Sequence, residues 1–321
     1  MSTNVAHVPV MLSEVIQALD PRPGGRYIDC TLGNGGHARA ILDASAPSGR
    51  LLGLDADPQA IEIARQALAG ALHRAVLVNS NFVHVAEVAA QHAFLAVQGI
   101  VMDLGWSSAQ MSDASRGFSF QLDGPLDMRY SPQQKLTAAD LVNDLDEREL
   151  ADLIWRYGED RLARRIARAI VAARPIRSTL HLAHVIEKAV GRREKIHPAT
   201  RTFQALRIRT NDELGVLAQT LEQLPALLAP GGALAIISFH SLEDRLVKQF
   251  LAREAAGCIC PPEAPVCTCG HRPSLTLRPR KPITPSRAEI AGNPRARSAK
   301  LRVAYRLPDT AVERASVTSN A

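Results

Sequence analysis

The 321 residues suffice for one large domain or two ordinary ones, and with 46% hydrophobic but only 4% aromatic residues the core must be built from Ala, Leu, Ile and Val. No run of about 18 uncharged apolar residues occurs, the segment Met1–His7 lacks the basic-then-apolar order of a signal peptide, and the five cysteines are an odd number clustered late; together these argue against a membrane span or a secreted disulfide framework and for a reducing cytoplasm. The net charge of +6 is uneven: residues 148–209 carry 15 Lys+Arg against 6 Asp+Glu, and residues 241–321 carry 14 against 7, which points to a polyanionic partner or to two solvated arginine-rich surfaces.

In chain order, Arg26 to Thr31 reads as a short strand, followed by the glycine turn Leu32–His37 and a helix from His37 to Leu42. A second strand runs from Gly49 to Asp55, and a helix from Pro58 to Leu68 has its proline in the first turn. Ala75–Asn79 and Gln98–Asp103 are a third and a fourth strand. Strands alternating with helices at this spacing imply βαβ units and a parallel sheet. The pattern then breaks. From Ser112 to about Thr210 no sheet strand is apparent, and helices are expected over 137–143, 146–157, 160–173, 179–189 and 198–213. A helix over 214–228, the turn Ala229–Ala233, a strand over 234–239, a helix over 242–254 and a closing strand over 300–306 resume the first pattern. The expected architecture is α/β: a doubly wound, Rossmann-like sheet domain made of residues 1–111 and 213–321, interrupted by an all-helical substrate domain over 112–212.

Within the sheet domain the turn Gly33-Asn34-Gly35-Gly36-His37 sits between a strand and a helix, where glycine lets backbone N–H groups approach a ligand. Asp55 ends the next strand 22 residues after Gly33, and a carboxylate there can take the hydroxyls of a ribose; it, or Asp57, can equally cap the following helix. Gly33, Gly35 and Ala38 also satisfy a dinucleotide pattern, so the glycines alone do not separate NAD from S-adenosylmethionine. Asp103, ending the fourth strand, favours the methyl donor.

Nearly the whole chain resembles the bacterial 16S rRNA cytosine-N4 methyltransferases, the RsmH or MraW family. The resemblance is carried by His7–Met11, Tyr27–His37, Leu54–Pro58, Asp103–Ser108, Arg116–Phe120, Asp123–Arg129, Tyr157–Arg161, His197–Ile208, Ser238–Arg245 and Asn293–Ser298. It implies a class I methyltransferase fold with an inserted helical domain, S-adenosylmethionine as cofactor, and a decoding-centre cytosine of the small ribosomal subunit as substrate. It also implies cofactor contacts at Asn34, Gly35, Gly36, His37, Asp55, Phe82, Asp103 and Gln110. Asp103 and His240 are the candidates for catalytic help at the amine, His240 being equally readable as a packed or capping histidine. Phe118 and Phe120 can stack on an extruded base or anchor their loop in the core. A methyltransferase acting on another nucleic acid, a ribosome-assembly factor that only binds, and an NAD oxidoreductase are the competing readings. The oligomeric state stays open, a homodimer included.

Two further clusters stand out. Arg161, Arg164, Arg165 and Arg168 lie at spacings of three and four residues, which on a helix makes one basic stripe that Arg174 and Arg177 extend, suited to RNA phosphates or else partly paired with Asp152, Glu159 or Asp160 as a solvated face. Cys258, Cys260, Cys267 and Cys269 place four thiols in a proline-rich loop, as either a tetrahedral zinc site or a flexible loop with free thiols; the C-x-C spacing is less specific than C-x₂-C.

Overall fold

A computed structural model describes residues 9–191, 196–264 and 266–308. Seven strands form one sheet: β1 Arg26–Asp29, β2 Arg50–Asp55, β3 Ala75–Asn79, β4 Val97–Asp103, β5 Leu228–Ser238, β6 Leu275–Leu277 and β7 Lys300–Arg306. Their spatial order is β3-β2-β1-β4-β5-β7-β6. The first five run parallel, and β7 joins antiparallel to both β5 and β6. Alternate side chains serve opposite faces, as the two-residue period of a strand requires. Ile28, Leu52, Leu54, Ile100, Met102, Leu234 and Ile236 enter one core, while Tyr27, Leu51, Val101, Ala235 and Ile237 enter the other.

Several elements differ from expectation for local reasons. β5 begins at Leu228 rather than 234, because the Pro230-Gly-Gly segment is carried through a register break opposite Val97–Gly99, with Gly231 at φ +80°. The expected single helix over 214–228 is two helices, Glu213–Leu221 and Leu224–Leu227, and Pro225 lies in the first turn of the second. The three-residue β6 and the helices Leu12–Leu19, Val85–Gln91 and Arg287–Gly292 were not apparent in the sequence.

The chain divides into two compact units, one ending at Gly105 and resuming at Val216, the other running from Trp106 to Gly215. The second is a few residues wider at each end than 112–212. Among its described residues it holds no strand. Its helices include Ser108–Ser112, Ala138–Asp144, Glu147–Gly158, Ala163–Ala172, Thr179–Val190 and Ala199–Asn211. Thr137 and Asp146 start two of these with reciprocal capping boxes to Asp140 and Glu149, which satisfies backbone N–H groups that a helix start otherwise leaves unpaired. Ile154, Ile166, Ile170, Leu182 and Leu206 fill the core of this unit.

That unit also buries a charged network. Arg207 donates from Nε and Nη2 to the two carboxylate oxygens of Glu213 at 2.7 and 2.9 Å, lies 4.2 Å from the centre of the Trp106 ring, and is 4% exposed. The Tyr130 hydroxyl donates to the same carboxylate at 3.1 Å. Removing one member strands its partner in a low-dielectric interior. Arg207→Met is therefore expected to destabilise the protein by about 3–5 kcal/mol, and adding Glu213→Leu should restore much of the loss. Urea denaturation of the single and double variants measures both; equal stability of Arg207→Met and the unsubstituted protein would remove the network from the account.

Candidate functional site

The parallel strands deliver their last residues to one edge of the sheet. Asp29, Asp55 and Asp103 end β1, β2 and β4, and His240 follows β5 by two residues. The turn after β1 is shaped for glycine. Gly33 and Gly35 adopt φ +50° and +79°, and a Cβ on Gly36 would stand 2.3 Å from the Pro9 ring. Gly35 is the N-cap of the helix Gly36–Ala44, so the turn opens on a helix N-terminus.

Asp55 holds this turn in place. One carboxylate oxygen accepts from the Gly33 N–H at 2.8 Å and the other from the Asp57 N–H at 2.9 Å. Asp57, not Asp55, caps the helix Pro58–Ala67 by accepting from the Gln59 N–H. Phe82 opens the short 3₁₀ turn after β3, half-buried and packed against the core. The Asn79 amide and Ser80 N–H both donate to the Asp55 carbonyl, tying the ends of β2 and β3 together.

His37 is buried at the start of its helix. Nε2 lies 3.1 Å from the Val10 carbonyl, and a carbonyl can only accept, so Nε2 carries the hydrogen and Nδ1 faces Asp103 at 3.8 Å. Asp103 donates its backbone N–H to the Thr31 hydroxyl at 2.6 Å. Burial, then the neighbouring Asp29 and Glu243 carboxylates, push the Asp103 acid well above the ordinary range. Asp29 was not singled out in the sequence, although an acid at the end of an apolar strand was a visible signal. Burial drives it up to about 7, opposed by the Thr31 N–H and reinforced by Asp55.

His240 is the N-cap of the helix Ser241–Glu254. Nδ1 accepts from the Glu243 N–H at 3.3 Å, and the Glu243 carboxylate accepts from the backbone N–H groups of Phe239 and His240. The capping reading of this histidine is thus present in the structure. With Nδ1 accepting, Nε2 carries the hydrogen; it lies 3.1 Å from Glu243 Oε1 but off the line of a hydrogen bond.

Gln110, the loop phenylalanines and the arginine stripe fall in the second unit. Gln110 is buried on Ser108–Ser112, where its Oε1 accepts from the Ser107 N–H at 3.0 Å and its own N–H donates to the Ser107 hydroxyl. Phe118 stacks on Tyr130 at 5.6 Å, and Phe120 on His197 at 4.4 Å with Phe203 at its edge, so both anchor their loop in the helical core. The arginine stripe is shorter than expected. The helix begins at Ala163, so Arg161 lies in the turn before it, while Arg164, Arg165 and Arg168 stand exposed opposite the buried Ile166 and Ile170. Arg168 pairs with Glu147 at 3.3 Å. Arg174, an apparent extension of the stripe, instead donates inward to the Val142 and Leu145 carbonyls.

The sheet edge fits S-adenosylmethionine. Buried side-chain atoms that lack a hydrogen-bond partner among the described residues include Asp29 Oδ2, Asn34 Oδ1, Asp103 Oδ1 and His240 Nε2, all borne on segments that follow the strands to this edge. Two acids with raised pKa, each with an oxygen lacking a hydrogen-bond partner among the described residues, suit a cationic amino-acid end, and the Asp55 carboxylate ending β2 and the half-buried Phe82 after β3 suit a nucleoside. Strand order, glycine turn and acidic strand ends together define a class I S-adenosylmethionine-dependent methyltransferase.

The profile of the MraW methylase family matches residues 4–307. A protein of Dehalococcoides mccartyi named ribosomal RNA small subunit methyltransferase H is 55% identical over 302 residues, 94% of this chain and 86% of that one. Proteins of the same name from Thermomicrobium roseum and Geobacter sulfurreducens are 54% and 53% identical, covering 95% and 94% of this chain and 94% and 99% of theirs. The chain belongs to the MraW methylase family.

The raised Asp29 acid carries a consequence for stability. Its folded-state pKa lies above the unfolded value, so its contribution is fully present below about pH 4 and is lost as pH rises through about 7. Asp29→Asn keeps the acceptor for Thr31 and removes the charge. It is expected to be more stable than the unsubstituted protein at pH 8 by about 1–3 kcal/mol, and so to melt higher, with the gap closing towards pH 4. Thermal melts across that range are the test, and a gap independent of pH would show that Asp29 is not the titrating group.

Proposed function

We propose that this protein is a cytoplasmic enzyme that methylates the exocyclic N4 amine of a P-site cytosine in the decoding centre of 16S rRNA, within the small ribosomal subunit. The observation that carries the reading is the match, over 94% of the chain, to relatives named as small-subunit ribosomal RNA methyltransferases. The polar sheet edge and the two basic stretches are its chemical counterparts.

When bound, S-adenosylmethionine supplies a sulfonium methyl that an amine can displace in line. Asp103 accepts from the cofactor's ammonium through Oδ1, with Asn34, Gly35, Gly36 and His37 shaping the adjoining turn. Asp55 accepts from the ribose hydroxyls, and Phe82 covers the adenine. Gln110 joins this set on the resemblance alone. At the amine, His240 positions the base through its Nε2–H, and Asp103 assists as a neighbouring acceptor. The main contribution of these side chains is alignment of nitrogen, methyl carbon and sulfur. Phosphates are held by Arg164, Arg165 and Arg168, with Arg161 beside them.

One labelled methyl-donor reaction tests the whole reading. It compares small ribosomal subunits, naked 16S rRNA and DNA, with digestion to identify the product nucleoside. N4-methylcytidine formed best on the subunit supports it, whereas product only in DNA, or none, removes it.

Asp55→Ala deletes a charged acceptor and the clamp on Gly33, so affinity for S-adenosylmethionine should fall by about 1.5–3 kcal/mol. Calorimetry on the folded variant checks this, and unchanged affinity would take Asp55 out of the site. Replacing Arg164 and Arg168 together with Ala should weaken substrate binding and reduce the log–log salt slope by about 0.7–0.9 for each lost phosphate contact. Cofactor affinity should be unchanged. A salt slope equal to that of the unsubstituted protein would shift attention to the basic segment that includes Arg272, Arg278, Arg280 and Lys281.

A further inference from the structure

Between the helix Ser241–Glu254 and β6 the chain crosses residues 255–274, in which the described residues form no helix or strand and none is buried. A loop of that length with no apolar core has nothing ordinary to order it. Yet its four cysteine sulfurs converge, all within 4.8 Å of one another, although they come from two arms separated by Pro261 to Val266. Cys258 Sγ lies 3.4 Å from Cys267 Sγ and 3.9 Å from Cys269 Sγ, Cys260 Sγ lies 4.0 Å from Cys267 Sγ, and Cys267 Sγ lies 3.6 Å from Cys269 Sγ. Four thiolates about 2.3 Å from one zinc ion must themselves lie about 3.8 Å apart, the edge of the tetrahedron, so the observed separations match a chelate cage.

The backbone around the sulfurs is arranged for thiolates. The N–H groups of Ile259 and His271 point at Cys269 Sγ from 3.5 and 3.4 Å, that of Cys260 at Cys258 Sγ from 3.4 Å, and that of Thr268 at Cys260 Sγ from 3.4 Å. Amide donors of this kind spread thiolate charge and orient the ligands of a metal. His271 is not one of the converging groups; its Nε2 donates to the Arg253 carbonyl at 2.8 Å, securing the end of the loop to the helix.

We propose that Cys258, Cys260, Cys267 and Cys269 bind one structural zinc ion that closes residues 258–269 into a knuckle. The four sulfurs fill the tetrahedron, which leaves no open position for catalysis. Binding to the reduced protein converts four thiols into four zinc-bound thiolates and releases the thiol protons to solvent. The ion supplies the ordering that this loop lacks in apolar contacts, and it fixes the approach to β6 and the arginines beyond it.

The test uses the full-length protein, purified without added metal under reducing conditions. Elemental analysis should find about one zinc per chain, lost in the Cys260→Ser, Cys267→Ser double variant. Cobalt(II) added to the metal-stripped protein should give the ligand-field bands of a tetrahedral thiolate site, and zinc should bleach them stoichiometrically. Proteinase K should cut within residues 255–274 faster in the double variant, while S-adenosylmethionine affinity stays within about twofold, which separates loss of the knuckle from loss of the fold. Zinc below about a tenth of an equivalent together with absent cobalt bands in the folded protein would overturn the proposal. So would iron at that stoichiometry, or thiol titration showing the four cysteines paired as two disulfides in the protein as purified.

Discussion

Parallel pairing forces three carboxylates together. β1, β2 and β4 point the same way, so whatever ends them ends at one edge, and here all three end on aspartate. Like charges in a poorly solvated place repel strongly, and the chain handles the three differently. Asp55 accepts from two backbone N–H donors. Asp29 keeps one from Thr31, and burial pushes its acid up to about 7. Asp103 has one oxygen with no hydrogen-bond partner among the described residues, and burial and the neighbouring carboxylates hold its acid well above the ordinary range. An edge that costs stability in this way is a place where a positively charged ligand is favoured, and the methyl donor's ammonium and sulfonium are both positive.

The glycine turn depends on that arrangement. Gly33 is held by Asp55, and the helix after the turn starts so close to Pro9 that residue 36 has no space for a Cβ. The segment crossing above it is pinned in turn, because the Met11 N–H donates to Glu289 at 2.6 Å and Val10 receives His37. Residues nearly 280 positions apart thereby secure one loop, and the segments His7–Met11 and Asn293–Ser298, which share the family resemblance, lie next to the two ends of that link.

The helical unit separates packing from display. Its aromatic residues Phe118, Phe120 and Phe203 are used internally, and its buried arginine is paired with Glu213. Arg164 and Arg165, by contrast, stand exposed with no ion pair among the described residues. A guanidinium that packs nothing and neutralises no protein carboxylate remains available for phosphate.

The sequence alone determined the order of the elements and most of the sheet. Period-two apolar runs and glycine or proline punctuation are local signals, and six of the seven strands and the helical break were legible from them. The glycine turn, Asp55 and Asp103 were legible because strand ends fall at predictable distances from such punctuation. Tertiary structure decided what local signals cannot carry. It showed that Asp29 shares the edge, since only sheet pairing sets β1 beside β4. It gave Asp57 the cap and Asp55 the turn, drew Phe118 and Phe120 into the core, took Arg174 away from the basic stripe and set Arg161 outside the helix. It also brought two C-x-C arms to within thiolate-cage distance. Each of these depends on which distant backbone group or side chain meets a residue, and a contact between positions far apart in the chain leaves no periodic trace in either neighbourhood.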